Sequence, residues 1–345
     1  MTVRSFTDSS AISLAYALGD GTTPAELAAA TFKFLPYTGE GFQMSKEPQM
    51  STAIRNDRRT SGSKNTRGTA SGSATVEFGG ADFILDLLSL TMMNDWAEVD
   101  PLDATKGKYI VDGEVKKFMA VEKTVKSGPG STDMQYHERF YGTAVNDATL
   151  EIGSGALLTL ALNTISVFAD YASAQAGADG LGGSLATTAK VVPADYEIAD
   201  SSNNLKNLVI RDADGNPLEV TFSTASLQVQ NNVREQPGLG AEFASGVGMG
   251  KVGVTLSGEM YFYDQTVLST HMTNKRLSAS LNIETVDGTF TIELPTLVAQ
   301  SPSNNASGEN QDYMTSITLQ AETGSVEIGG NPVTCVMAIT YVPKP

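Results

Sequence analysis

The sequence predicts a mainly β protein: a β-sandwich or half-barrel with a short flanking helix, internally duplicated. Three observations predict it. Runs dense in β-branched and aromatic residues recur, as at Val252, Val254, Thr255, Tyr261, Phe262 and Tyr263, and such side chains pack well on a pleated surface. Glycine-rich and polar stretches punctuate these runs, as expected of turns and loops. One unit, two extended arms around a polar tip followed by a helix, occurs twice.

The clearer copy of the unit spans Ser226 to Asn274. A first arm runs from Ser226 to about Arg234, and a second from Lys251 to Asp264. At about 3.3 Å per residue the second arm could reach ~45 Å, longer than a typical strand. An arm of that length needs a neighbour to cover it. The tip between them, Pro237 to Gly250, reads as too polar and flexible for a core. Gln265 to Met272 then reads as a short helix, with Val267 and Leu268 on its packing face.

The other copy spans Ala53 to Asn94. Thr69-Ala-Ser71-Gly72 matches Thr255-Leu-Ser257-Gly258, and an extended run follows each. The next helix carries an apolar stripe, with Phe83, Ile84, Leu87 and Leu88 as its core contacts. Beyond the helices, Phe118–Val125 answers Leu277–Thr285, Gln135–Tyr141 answers Thr289–Leu294, and Leu157–Asn163 answers Ser316–Gln320. This order divides the chain into an N-terminal arm and first strand (1–50), a first β-domain (51–169), an Ala/Gly-rich linker or surface insert (170–200) and a second β-domain (201–345).

The remaining segments are less patterned. Ser10–Leu18 reads as a helical turn, and Thr23-Pro24 as a helix start. Phe32–Leu35 reads as a strand, Pro36–Met50 as irregular. Asp95–Asp112 reads as a loop around Trp96 ending in an extended Tyr109–Val111. Four strands are expected over Phe118–Asn163, with turns at Ser127–Gly130, Asn146-Asp147 and Gly153–Gly155. Leu205–Phe222 reads as a hairpin about Asp212–Pro217, and Val333–Val342 as a final apolar strand.

Composition bounds the function. The 345 residues carry a formal net charge of −16, which opposes nucleic-acid affinity except where a patch reverses the sign. The patch is the first arm, where Arg55, Arg58, Arg59, Lys64 and Arg67 outnumber Asp57. Without stacking aromatics, salt bridges to acidic neighbours are favoured over phosphate binding. A single cysteine allows no internal disulfide, and no signal-like or membrane-spanning segment is read. A cytoplasmic origin is expected.

No residue is nominated for catalysis, metal or cofactor binding. His137 and His271 lack a carboxylate or cysteine cluster at ligand spacing in the sequence. Asp212-Ala-Asp214-Gly215-Asn216 misplaces its glycine for an EF-hand loop. Gly246-Val-Gly248-Met-Gly250 is neither a dinucleotide nor a phosphate-binding loop. Cys335 lies in an apolar strand, and no GxSxG elbow occurs.

Ser51-Thr-Ala-Ile54-Arg55-Asn56-Asp57-Arg58-Arg59-Thr60 resembles the segment opening the first long arm in tail tube (major tail) proteins of long-tailed, non-contractile bacteriophages. The small-residue strand and Leu-rich helix of Gly72–Leu90, ending near Trp96, are similar to that family. So are Val229–Asn232, Leu256–Asp264 and Phe290–Pro295. The resemblance covers roughly Gly19 to Val342, and the insert Asp170–Ala199 departs from it.

The resemblance implies packed β-sheets flanked by a helix, assembled into rings that stack as a tube for genome passage. It implies that the chain is made in the host cytoplasm and resides in the virion tail. Its partners would be itself, the tape-measure, tail-tip and tail-terminator proteins, and passing DNA without specific binding. Such tubes are commonly sixfold, so two tube-type domains per chain favour a trimer with a pseudo-sixfold ring over a hexamer. The interface candidates on the first arm are Ile54, Arg55, Asp57, Arg58, Arg59 and Arg67. Those on the second are Val229, Asn231, Asn232, Arg234, Phe243, Met249 and Lys251. Both tips are expected to order only on ring stacking. Readings from other classes are a carbohydrate-binding or adhesion β-sandwich, a hydrolase on a β scaffold, a capsid decoration protein, and a tube protein of a secretion-like apparatus.

Overall fold

The computed structural model describes residues 11–19, 31–54, 56–57, 59, 62–126, 134–173, 190–262, 266–300, 302–306, 309 and 311–344, with backbone alone at 134–136, 172–173, 266–268 and 305–306. It is 61% strand and 7% helix, so the predicted mainly β class holds. Among the described residues, nineteen strands join one hydrogen-bonded network, and two hairpins stand apart from it.

The first half opens with β1 (Ile12–Leu18), β2 (Phe32–Leu35) and the two-residue β3 (Gly39–Glu40). The first arm is β4 (Gln43–Met50) paired with the 15-residue β5 (Ser63–Glu77). Then come α1 (Asp82–Met92), short β6 (Ala97–Glu98) and β7 (Lys108–Val111), and the long meander β8 (Met119–Lys126), β9 (Met134–Gly153) and β10 (Thr159–Ser173). After β11 (Lys190–Val191), the second half holds β12 (Leu205–Arg211), β13 (Phe222–Gln230), the tip strands β14 (Arg234–Pro237) and β15 (Ala244–Gly248), and β16 (Gly253–Tyr261). α2 (Thr266–Met272), β17 (Leu277–Glu284), β18 (Gly288–Ala299), β19 (Ser303–Ala306) and β20 (Tyr313–Glu322) follow. The end of the chain is the hairpin β21 (Gly324–Ile328)/β22 (Asn331–Cys335) and then β23 (Ala338–Pro343).

The two halves repeat one pairing order. In the first, β4 pairs β5, β5 pairs β10, β10 pairs β9, β9 pairs β8 and β8 pairs β1. In the second, β13 pairs β16, β16 pairs β20, β20 pairs β18, β18 pairs β17 and β17 pairs β12. Even the irregularities recur. The β8–β9 register slips between Met119 and Val121, and that of β17–β18 between Leu277 and Ala279.

The glycine of each Thr-x-Ser-Gly sits under an aromatic ring. A Cβ on Gly72 would overlap the Phe42 ring, and one on Gly258 would meet the Thr224 carbonyl and the Phe222 ring. This close approach is why the matching motif ends in glycine.

α1 is buried on more than the predicted stripe. Phe83, Ile84, Leu87 and Leu88 are buried, as are Leu85, Leu90 and Met92. They share one apolar cluster with residues of β5, β10, β13, β16 and β18 from both halves. The Trp96 indole donates to the Leu85 carbonyl at 2.9 Å, pinning the loop after α1. Val267 and Leu268 lie on α2, but their side chains are outside the described residues.

Several expectations are corrected. Residues 12–18 form a strand rather than a helical turn, because β1 lies between β2 and β8 and its central residues are buried. Within Pro36–Met50, the stretch 43–50 is a strand held by β5. Asn146-Asp147 is no turn: β9 runs straight through, and the β9–β10 register slips there, leaving Asn146 as the bulged residue. A bulge inserts one residue without reversing the chain, so the meander has three long strands, not four. The turn at Asp212 forms, with the Leu218 amide bonding the Ile210 carbonyl, but β12 takes β17 as its long partner. The final apolar run is broken at Val336-Met337, whose amides both donate to Asp112.

Of the Ala/Gly-rich stretch, residues 174–189 lie outside the described residues, as do Thr23, Pro24 and Ser127–Gly130. Residues 190–199 are packed rather than linker-like. β11 adds to β2, Tyr196 packs edge-on against Phe83, and Ala199 is fully buried with its amide on the Phe78 carbonyl.

Candidate assembly surfaces

The two arms are built alike and finish differently. β4 is exposed along almost its whole length, and so is the first part of β5. A paired hairpin with solvent along this much of its length contributes little burial to its own chain. Its tip carries Ile54, fully exposed, with Met50 also largely exposed. Asp57 accepts from the Arg59 amide at 3.2 Å, and both residues are exposed. Arg55 and Arg58 lie outside the described residues.

The second arm folds the return side of its tip, 243–249, onto the body and leaves 239–242 exposed. Pro237–Gly250 was expected to be too polar and flexible for a core. Instead, β14 pairs β15, and Val233 and Val247 are buried in a cluster with Met93, Ala144 and Val167 of the first half. Met249 packs against this cluster. The Phe243 ring meets Phe168 edge-on with centroids 5.1 Å apart. Sequence reasoning missed this because the tip's apolar residues are single and spaced among glycines; Phe243 and Val247 find their contacts on other elements, while Leu239 stays exposed.

Ion pairs reinforce the docking. Arg67 of the first arm pairs with Glu235, and Lys46 with Glu242, which also accepts the Gly68 amide through its backbone at 2.8 Å. The Arg67 partner expected in a neighbouring subunit is therefore found in the same chain. Phe243 and Met249 likewise make their contacts internally. Arg234 and Lys251 remain exposed.

Asn231 is the hinge of the second arm. It is buried, and its side-chain nitrogen donates to the Thr91 carbonyl at the end of α1 (2.9 Å) and to Val145 in β9 (3.0 Å). Its amide donates to Asn146, whose side chain accepts from the Val233 amide at 2.8 Å. The bulge in β9 thus supplies the acceptors that the turning arm needs. Asn232 takes a left-handed backbone (φ 50°) and donates to the Lys251 carbonyl, closing the base of the tip. Asparagine tolerates that conformation better than most residues. Val229 is buried on β13.

A second polar cluster anchors the exit of the insert. Glu122 on β8 is fully buried. Arg139 donates to it at 2.5 Å, and Lys190 lies 2.6 Å away. His137 lies 3.5 Å from the same carboxylate and 3.0 Å from the Thr124 hydroxyl. Burial alone would raise the Glu122 pKa, but hydrogen bonds from His137 and Lys190 and the nearby cationic charges outweigh it and hold the acid well below its usual range. His137 therefore has a carboxylate beside it, contrary to the sequence reading, because strand pairing brings residue 122 next to 137 and 139. The arrangement ties β11 to the sheet.

Helix α1 is fixed by a third group. The Tyr16 hydroxyl and the Lys33 ammonium both donate to Asp86, at 2.7 and 2.6 Å. Burial pushes Cys335 up to about 12, consistent with an inert thiol. Among the described residues no cluster of His, Cys, Asp or Glu could hold a metal ion.

A duplicated β body with one docked arm and one exposed arm defines a structural building block. A family model described as phage tail tube protein matches residues 9–321, and the chain belongs to that family. It is a structural tail tube protein, and its place is the virion tail. Among curated proteins, no relative matches the chain.

Proposed function

We propose that the chain self-assembles into rings that stack into the tail tube of a long-tailed, non-contractile phage, the conduit through which the genome leaves the particle. The observation that carries this reading is the exposed first arm, β4 and the start of β5, which is in solvent along almost its whole length and holds Ile54 there, while the second arm packs Phe243, Val247 and Met249 on its own chain and leaves its apex, with Leu239, exposed. A long exposed hairpin is an aggregation hazard unless a defined neighbour covers it. Ile54, Asp57 and Arg59 contact the adjoining subunit or ring, as do Arg234 and Lys251 on the second arm.

The repeated pairing order favours three chains per ring, each contributing two tube-type domains, rather than six. A net charge of −16 suits a conduit, since few cations means weak phosphate pairing and free sliding of DNA. The tape-measure, tail-tip and tail-terminator proteins are the expected partners at the tube's lumen and ends. Negative-stain electron microscopy of the concentrated protein tests the reading. Stacked rings with a stain-filled centre are expected; featureless monomers, also in the presence of tail-tip complexes, would overturn it.

A further inference from the structure

The junction between the two halves is itself an interface between two copies of one fold. There β13 lies antiparallel to the end of β9, with Leu227 opposite Leu150, Val229 opposite Ala148 and Gln230 opposite Asp147. The repeat identifies the counterparts of both strands. Ser226 of β13 faces Ser257 of β16, and Gln43 of β4 faces Ser71 of β5. Ser71 and Ser257 hold the same place in Thr-x-Ser-Gly, so β4 stands where β13 stands.

The other counterpart follows in the same way. Ser71 faces Ile165 of β10, and Ser257 faces Thr318 of β20. Two residues earlier on those strands, Asn163 faces Asp147 of β9, and Ser316 faces Ser303 of β19. β19 therefore stands where the end of β9 stands. Among the described residues, β4 pairs only with β5 and β19 only with β20. Each half that lacks an internal neighbour leaves one free edge, and the two edges are the complementary ones.

We infer that β4 of one subunit adds to β19 of the next, antiparallel, in the register of the internal junction. Met44 then lies opposite Ala306, Ser45 opposite Asn305, Lys46 opposite Asn304 and Glu47 opposite Ser303. This rests on the ring reading above and names the strands that close the ring. The ladder has a built-in end. Beyond Gln230 the internal junction continues with the Asn231 amide bonding Asn146 at 2.7 Å, whereas the corresponding residues are Pro48 and Pro302. Proline has no amide hydrogen to donate, so the pairing stops after Glu47. Ser303, Asn304, Lys46 and Glu47 are exposed and polar, so the ladder buries no unpaired charge and the free chain stays protected from indiscriminate edge pairing.

Cysteine pairing tests the register. Opposed residues of an antiparallel pair have Cα atoms about 4.5–5.5 Å apart, within reach of a disulfide. Ser45→Cys combined with Asn305→Cys should link assembled chains into covalent multimers under mild oxidation. Either single variant, or Ser45→Cys with Asn304→Cys, should leave single chains, because neighbouring side chains point to opposite faces. If the double variant fails to assemble, the unmodified protein answers instead. Amide exchange over 43–47 and 303–306 should slow at least about tenfold on ring formation. Rings that neither cross-link at 45/305 nor gain that protection overturn the edge pairing and leave the ring reading standing. A chain that forms no ring overturns both.

Discussion

The side-chain amide of Asn231 donates to the Thr91 carbonyl, 2.9 Å away across 140 positions of sequence. Thr91 lies in the last turn of α1 and Asn231 lies where the second arm turns, so one buried side chain joins the helix of the first half to the arm of the second. Helix carbonyls in the last turn lack intrahelical partners, and this one is satisfied by the other copy of the fold.

Replacing Asn231 with leucine leaves the Thr91 and Val145 carbonyls without this buried donor. Unsatisfied buried groups cost about 1–3 kcal/mol each, so the variant should lose on the order of 2–4 kcal/mol. Denaturant unfolding measures it. Asn231→Ser, which keeps a polar group but cannot reach both carbonyls, should fall between.

Gly72→Ala and Gly258→Ala should each destabilise by about 1–3 kcal/mol, the usual range for forcing atoms into a packed site. Gly72→Ala should be partly rescued by shrinking the ring above it, Phe42→Leu, whereas Gly258→Ala should not be rescued by Phe222→Leu, because the nearest atom there is the Thr224 backbone carbonyl. Thermal melting of the single and double variants checks this. Equal loss for Gly72→Ala with and without Phe42→Leu would show that the ring is not the reason for glycine there.

Glu122→Gln removes the negative charge from a buried group of cations and should cost about 3–5 kcal/mol, as breaking a buried pair does. The pH dependence has a defined sign. The folded pKa of Glu122 is depressed below its ordinary 4.5. Its contribution is therefore complete above the unfolded value and is lost as pH falls through the folded one. Acid titration of stability should be shallower in the variant than in the parent below about pH 4.5.

Phe243→Ala should release the second tip without unfolding the body. The ring contact with Phe168 is lost; Lys46–Glu242 is a largely exposed pair of little worth, and the half-buried Arg67–Glu235 pair holds the base of the tip rather than its apex. Limited proteolysis should cut within 237–250 at least several times faster than in the parent, with the global unfolding midpoint nearly unchanged.

Much of the fold was legible because local chemistry and tertiary role agreed. The stripe Phe83–Leu88 reads as a helix face and is one, and Thr-x-Ser-Gly marks equivalent positions of β5 and β16. Elements whose signal comes from partners were not legible. β4 has no apolar alternation, since nothing in its own chain buries it, and it is a strand only because β5 is beside it. Asn146-Asp147 carries turn residues but serves as a bulge. Its asparagine is there to receive Asn231 and Val233, which are far away in sequence.

The arms were legible as arms, but their contacts were not. Arg67, Phe243 and Met249 are apolar or basic residues in polar stretches, which reads as an outward-facing interface. Their partners, Glu235, Phe168 and the cluster that includes Met93, Ala144 and Val167, lie on other elements of the same chain. The Glu122 cluster was invisible for the same reason: Lys190 is 68 positions from Glu122 and adjoins it only through β11 and β2.

Native mass spectrometry of isolated rings tests the central claim most directly. A duplicated chain that fills two positions of a pseudo-sixfold ring predicts a particle of three times the 36.3 kDa chain mass. A ring of six chains would contradict the claim that each half occupies one position.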